Sequence, residues 1–531
     1  MQSLHRTAAR MATAGCGCCT CCGVSRREFL AGCAACAASA TGLSGLTVSR
    51  AVAADGAGKA RVRLIFGHRP ATAATWPYAG YEHEGLIKDL TAKLIGDCPN
   101  VEFLPITVQS PEEVRTLLDR DEPVDGYLVY LTGSGSGAAS LTAATGRPTL
   151  LAVDLYGGTN EFLRAVDAAR RANLPVDAVS SSRFDDVIEA ARCFELLKKP
   201  GGTVDGFLAA CNQARRTSAK PAGDLSALED TLRCRDVREC LEKLRSSTIL
   251  VVGREPGPQG KAIEANWGAK VLPIEFAVLQ DAYLKADRDQ AVDWADRWIG
   301  NAEKVLEPSA EEIRKSGAMY LAMLSLMKRH NAQAITINCL DGFYGGHIQA
   351  YPCLGFSQLN NDGLVGGCEA DILSTFTMLT IGYLTGRPGF ISDPVIDTSK
   401  NQIVYPHCVA PTKVFGPNGT VNPYRLRSHA EDRKGAAMQS LLPAGYTLTT
   451  MKLNPALREV LLHQAKAVGN VNDEKACRTK LAAELRGDID KLMNHWFRWN
   501  ESWHRVTFYG DLKEPVKQLS AAMGMTVIEE A

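Results

Sequence analysis

The sequence predicts an α/β protein: two flavodoxin- or Rossmann-like parallel-sheet domains followed by a mostly β C-terminal domain. Three observations predict it. From Arg61 onward, short apolar runs alternate with stretches of helical apolar spacing, the pattern of a parallel sheet covered on both faces. A polar segment at 215–236 interrupts the alternation and reads as an insertion or surface loop. After about Gly386 strand-like runs dominate, broken by frequent Gly and Pro. Domains are therefore expected at 60–179, 180–386 and 387–531.

The elements follow in order. Residues 61–67 (RVRLIFG) read as a buried strand, 85–95 as a helix and 101–108 as a second strand. A helix opens at Pro111, with Ser110 as its N-cap. Residues 124–130 and 148–153 are the third and fourth strands. The second unit offers strands at 248–253, 270–274 and 334–338. The C-terminal part offers strands around Phe390, Val404 and Val414 and at 446–453, one helix at 472–498 and a last strand at 506–509. A chain of 531 residues is long enough to bury a large core across these layers.

Residues 1–54 read as a targeting segment. Ser25-Arg26-Arg27-Glu28-Phe29-Leu30 resembles the twin-arginine export motif, a small-residue stretch follows, and Ala51-Val52-Ala53-Ala54 offers a cleavage site. The expected partner is the twin-arginine export machinery, and the expected location is the periplasm or the extracellular space. The stretch is too poor in large apolar residues for a stable membrane anchor. Seven of the seventeen cysteines lie there and would leave with the signal. The other ten are scattered without a CxxC pair, as buried thiols are. Lys+Arg and Asp+Glu both number 59, and this balance argues against a general nucleic-acid binder.

Two motifs bear on chemistry. Gly133-Ser134-Gly135-Ser136-Gly137 follows the third strand and precedes a helix. Such a turn can cradle a phosphate, but the full G-x-G-x-x-G spacing and its acidic partner are missing. That disfavours a nucleotide-dependent oxidoreductase, and no cofactor-binding residue is assigned.

The second motif is the stretch from Gly363 to Pro411. Glu369 falls just inside a helix start, after the glycine-rich approach Gly363, Gly366 and Gly367 that lets backbone come close to a ligand. Asp393 follows the next apolar run, His407 ends a strand, and His504 opens the final one. Two carboxylates and one or two imidazoles suit a divalent metal such as Mn²⁺. Each residue also has a structural reading. Glu369 and Asp371 can be helix-start acids, Asp393-Pro394 a turn, and His407 a core residue.

The stretch resembles the L-fucose isomerase / L-arabinose isomerase superfamily. The residues that carry the likeness are Ser357-Gln358-Leu359-Asn360-Asn361-Asp362-Gly363, Cys368-Glu369-Ala370-Asp371, Leu384-Thr385-Gly386-Arg387-Pro388, Asp393-Pro394, His407-Cys408 and His504-Arg505-Val506. The resemblance implies Mn²⁺ or another divalent cation held by Glu369, Asp393 and His504, with His407 as ligand or supporting partner. It implies Glu369 and Asp393 as the groups that move a proton on an open-chain sugar, which makes the chain an aldose–ketose isomerase. The alternative is an exported sugar-binding protein that kept the fold without turnover. The family also implies a homo-oligomer. Trp503, beside His504, His429 and Arg387 are further candidates for sugar contact. His495, near Trp496 and Trp499, reads as packing.

Overall fold

The computed structural model describes residues 58–499 and 503–531. The export signal expected at 1–54 lies outside the described residues.

The first sheet has five parallel strands, β1 (Ala60–Gly67), β2 (Val101–Val108), β3 (Gly126–Leu131), β4 (Thr149–Val153) and β5 (Val176–Ser180), in the order β2-β1-β3-β4-β5. On β1, Val62, Leu64 and Phe66 pack toward the helices Glu84–Asp97, Phe184–Arg192 and Val204–Ser218. Ile65 faces the other way, into a core that includes Phe162 and Leu163 of the helix Thr159–Arg171. Burial on both faces is why these strands read as unbroken apolar runs. β5 (VDAVS) escapes that pattern because it buries Asp177, whose charge is met by Arg170 at 3.0 Å and by Arg215. Ser110 caps the helix Pro111–Arg120 as expected, accepting the Glu113 N–H.

The second sheet is also parallel, ordered β10-β9-β6-β7, with β6 (Thr248–Val252), β7 (Lys270–Ile274), β9 (Ala334–Ile337) and β10 (Val365–Gly367). β8 (Lys304–Val305) joins instead a three-stranded sheet with β14 (Tyr424–Arg427) and β15 (Ala437–Ser440). β10 is three residues long and two of them are glycines, so no apolar run announces it. A Cβ on Gly367 would lie 2.2 Å from Thr375 Oγ1, and one on Gly366 would lie 2.7 Å from Phe356 Cα. These glycines serve close packing, where a close approach to ligand was expected.

The C-terminal region is mostly antiparallel. β11 (Phe390–Ser392), β12 (Val395–Asp397), β13 (Gln402–His407), β16 (Thr447–Asn454), β17 (Glu459–Asn470), β18 (Thr479–Leu485) and β19 (Arg505–Tyr509) run in the order β11-β19-β16-β17-β18-β13-β12. β20 (Thr526–Glu529) pairs with β17 in parallel. Three expectations are corrected here. Residues 472–498 are not one helix: they hold β18 and the short helix Ile489–Asn494. β18 starts beside two buried cations, since Arg478 donates to the Ser428 carbonyl and Lys480 to the Asp473 carbonyl. Such charges mask a strand in sequence. β19 is not the last strand, because the helix Lys513–Ala522 and β20 follow it. Val414 lies among turns rather than in a strand.

Among the described residues, no helix is long and apolar enough to cross a membrane. None of the ten described cysteines is in a disulfide, and eight are buried.

Candidate metal centre

The site forms where the carboxyl end of β10 meets β11, β13 and β19. Open α/β sheets place ligands beyond the carboxyl ends of their strands. Glu369 sits two residues past β10, ahead of the helix Ile372–Thr385 rather than inside it. It and Ala370 adopt left-handed backbone, with φ of 59° and 49°. Such conformations cost about 1–3 kcal/mol each and cluster at functional sites. Here the Ala370 N–H donates to Ile337 at the end of β9 at 2.8 Å, and the Asp371 N–H donates back to Cys368 at 3.2 Å. The turn aims the Glu369 carboxylate away from the helix and toward β13 and β19.

Asp371 is the helix-start acid. Its Oδ1 accepts the Ser374 N–H, and its Oδ2 accepts from Lys452 Nζ at 2.7 Å and faces His504 Nδ1 at 3.0 Å. Burial opposes the charge on Asp371, but Lys452 and His504 overcome it and hold the carboxyl well below the usual range. A carboxylate can only accept, so His504 Nδ1 carries a hydrogen. His504 Nε2 is turned to the other side. It lies 3.1 Å from Asp393 Oδ1 and 3.6 Å from Glu369 Oε2, with no hydrogen bond to either.

Asp393 follows β11, and its N–H donates to the Pro406 carbonyl on β13 at 3.0 Å. His407 ends β13. Its Nδ1 accepts the Cys408 N–H at 3.0 Å, and its Nε2 is 3.7 Å from Glu369 Oε1 and also lacks a hydrogen bond. Burial holds His407 below the ordinary histidine range. The ring centroids of His407 and His504 are 5.4 Å apart.

Donor atoms of Asp393, His407 and His504 all lie within 4.8 Å of one another, and so do those of Cys368, Glu369 and His407. Burial pushes Glu369 up to about 8, with His504 opposing and Asp393 adding to the rise. A lone pair and two carboxylates cannot share so small a space without a positive charge between them. A proton on His504 meets that need, and burial is outweighed by Glu369, Asp371 and Asp393 to raise the imidazole to about 10. A divalent cation meets it equally. The orphaned His504 Nε2 beside two carboxylates fits one, and the Asp371 bond to His504 is the outer support such ligands have.

The four residues far apart in sequence thus converge. The three further candidates do not join them. Arg387 donates to Asp230, at 2.5 and 2.6 Å, and to the Tyr509 carbonyl, and lies over the Phe415 ring. Trp503 stacks on Phe497. His429 is buried against Phe343 and Tyr351, with Nδ1 3.0 Å from Asp432. His495 is exposed, in contrast to its expected packing role, while Trp496 and Trp499 are buried.

Several groups at the site were not singled out from sequence: Lys452, Glu431, Asp432 and the thiol pair Cys339–Cys368, whose sulfurs are 3.4 Å apart. Cys477 contacts Asp393 Oδ2 at 3.8 Å. A lysine inside the apolar run TLTTMKLN was the one available signal among these.

No protein-family model matches the chain. Its distant relatives are sulfoquinovose isomerases. That of Alkalicoccus urumqiensis is 22% identical over 305 residues, 55% of this chain and 67% of the relative. The sulfoquinovose isomerases of Priestia aryabhattai and Priestia megaterium are 24% identical over 318 residues, 57% of this chain and 69% of theirs. Among solved structures, the XylFII molecule matches 55% of this chain and 85% of its own at 13% identity, with a TM-score of 0.15.

Proposed function

We propose that the protein is a metal-dependent aldose–ketose isomerase acting on an open-chain sugar. The observation that carries this reading is His504 Nε2, locked by Asp371 to face Asp393 and Glu369 without a hydrogen bond. Glu369, Asp393 and His504 would hold the cation, and Mn²⁺ suits this set of two carboxylates and an imidazole. When bound, the cation supplies positive charge that polarises a carbonyl and steadies adjacent sugar oxygens.

The side chains divide the remaining work. Glu369 is 30% exposed and Asp393 5%, so Glu369 is the carboxylate that reaches a substrate. It takes the proton from C2 as the C1=O electron pair moves to O1, and returns that proton to C1. The O2 proton leaves as the C2 carbonyl forms, and O1 gains one, so the sugar keeps its hydrogen count. His407 would be the supporting partner rather than a ligand. Its Nδ1 already accepts the Cys408 N–H, so the neutral ring bears hydrogen on Nε2 and donates where charge gathers.

The relatives point to a sulfonated hexose as the first substrate to test. A cavity of about 630 Å³ has Arg69 and Lys434 in its lining, cations suited to an anionic substituent. Export by the twin-arginine route and homo-oligomer formation belong to the same proposal. Folding in the cytosol before export would load Mn²⁺ ahead of tighter-binding metals.

The test is to incubate the protein with Mn²⁺ in heavy water with sulfoquinovose and a panel of unmodified aldoses. Ketose formation with deuterium arriving at carbon is expected. Saturable sugar binding with neither event would favour the sugar-binding alternative and end the isomerase reading.

A further inference from the structure

A buried thiol normally hands its hydrogen to a carbonyl, as Cys98, Cys211 and Cys240 do to Ile188, Ala190 and Thr380. Cys339 and Cys368 face each other instead, with their sulfurs 3.4 Å apart. They are 2% and 4% exposed. The fold makes this pair. β9 and β10 are parallel neighbours with Thr336 opposite Gly367, so both chains leave the sheet side by side at its carboxyl end. Cys368 is the first residue after β10, and Cys339 is the second after β9.

A carboxylate completes the group. Glu369 follows Cys368 in the left-handed turn. One of its oxygens, Cys368 Sγ and a ring nitrogen of His407 all lie within 4.8 Å of one another. The Glu369 side chain is 30% exposed, so ions in solvent reach the group from that side. His407 keeps its Nδ1 on the Cys408 N–H and borders the group as a neighbour.

This donor set differs in kind from that of the Mn²⁺ centre. Two sulfurs and one carboxylate favour soft or borderline cations over Mn²⁺. Tetrahedral Zn–S bonds of about 2.3 Å hold two sulfurs roughly 3.8 Å apart. The pair at 3.4 Å needs to open by only a few tenths of an ångström.

We infer that Cys339, Cys368 and Glu369 form a second metal site, for a thiophilic divalent cation such as Zn²⁺ or Cd²⁺, with the fourth position left to water. Binding forms two metal–sulfur bonds and one metal–oxygen bond, and the two thiol protons go to solvent. No electron changes hands. The site shares Glu369 with the Mn²⁺ centre. A soft cation there draws that carboxylate away from Asp393 and His504, so it weakens Mn²⁺ binding and blocks turnover. The block on turnover rests on the isomerase reading; the site itself does not.

The probe is Cd²⁺ alone. The full chain, kept reduced, is titrated with it, and the ultraviolet charge-transfer band of cadmium thiolate is followed. The first equivalent is expected to give a two-thiolate band. Cys368→Ser is expected to lower the affinity for that equivalent by more than about a hundredfold, the upper end of what losing an outer partner of a ligand costs. Cys477→Ser, which alters the thiol beside Asp393, is expected to leave band and affinity as they are. Undiminished affinity in Cys368→Ser, or an equal loss in Cys477→Ser, would overturn the site. Should Cys368→Ser not fold, cadmium-113 NMR of the wild type decides. A resonance in the range of two sulfur and two oxygen ligands is expected, and one typical of oxygen alone or of four sulfurs refutes the site. Electron paramagnetic resonance of Mn²⁺ tests the shared carboxylate: one equivalent of Cd²⁺ must lower Mn²⁺ affinity about tenfold or more. Unchanged Mn²⁺ affinity overturns the proposal as well. Cadmium bound in this way by a chain that forms no ketose would sink the isomerase reading and leave this one standing.

Discussion

His504 and Asp371 share a 3.0 Å contact that decides which imidazole nitrogen faces the two carboxylates. Asp371 sits at the head of the helix Ile372–Thr385 and is held ionised by Lys452. One side chain therefore caps a helix, neutralises a buried lysine and orients a ligand. Asp371→Asn should weaken Mn²⁺ binding about 10–100-fold, since an amide can present either a donor or an acceptor to Nδ1. Titration of Mn²⁺ by electron paramagnetic resonance would measure it, and an unchanged affinity would contradict the role.

Lys452 is the partner of that carboxylate, and its side chain is 0% exposed. Removing one member of a buried pair leaves the other charge uncompensated. Lys452→Met should lower stability by about 3–5 kcal/mol. Urea denaturation of both proteins, with the metal concentration held constant, reads the difference.

His429 gives a pH dependence of definite sign. Its pKa in the fold is raised from 6.5 to about 9. The stabilisation is then fully present below pH 6.5 and is lost as pH rises through 9, on the order of 3 kcal/mol in all. Glu431, raised from 4.5 to about 7, drives a loss in the same direction at lower pH. Thermal melting of the wild type should fall between pH 6.5 and 9; His429→Gln should flatten that slope and, because the imidazolium opposes the rise of Glu431, carry the lower loss to higher pH.

The Gly133–Gly137 loop has an occupant of its own. Its Gly135 and Ser136 N–H groups donate to Glu161 Oε2 at 2.8 and 2.9 Å, and the Ala139 N–H donates to Oε1 at 3.1 Å. The anion that a glycine-rich turn attracts is here a side chain of the helix Thr159–Arg171. Glu161→Gln should cost about 2–3 kcal/mol of stability and leave Mn²⁺ affinity unaltered, which denaturation and metal titration would check separately.

That loop marks what can be read along the chain and what cannot. The turn type and its affinity for negative charge follow from glycine and serine spacing, but Glu161 lies 26 residues from Gly135. The parallel strands were legible because burial on both faces leaves continuous apolar runs. β10 was not, since two of its three residues are glycines that pack against Thr375 and Phe356, and β18 was not, since it begins beside buried Arg478 and Lys480. At the metal centre, the four residues from Glu369 to His504 were read from their order and likeness. The left-handed turn at Glu369 depends on the Ala370 bond to Ile337 at the end of β9, and the Asp371–Lys452 pair forms only when β16 meets the helix Ile372–Thr385. No local pattern carries them.

The two carboxylates of the centre should separate by kinetics. The Glu369 side chain is 30% exposed, whereas Asp393 is closed in by His504 Nε2 at 3.1 Å and Cys477 at 3.8 Å. A group that must meet carbon C2 needs the opening; a group that only holds a cation does not. Glu369→Gln should therefore lower deuterium exchange at C2 by about 10²–10⁴-fold even at saturating Mn²⁺. Asp393→Asn should act mainly through metal affinity, so that raising Mn²⁺ restores much of its rate. Measuring exchange against Mn²⁺ concentration for both variants distinguishes them. Full recovery of Glu369→Gln at high metal would move the proton-transfer role away from Glu369 and onto Asp393.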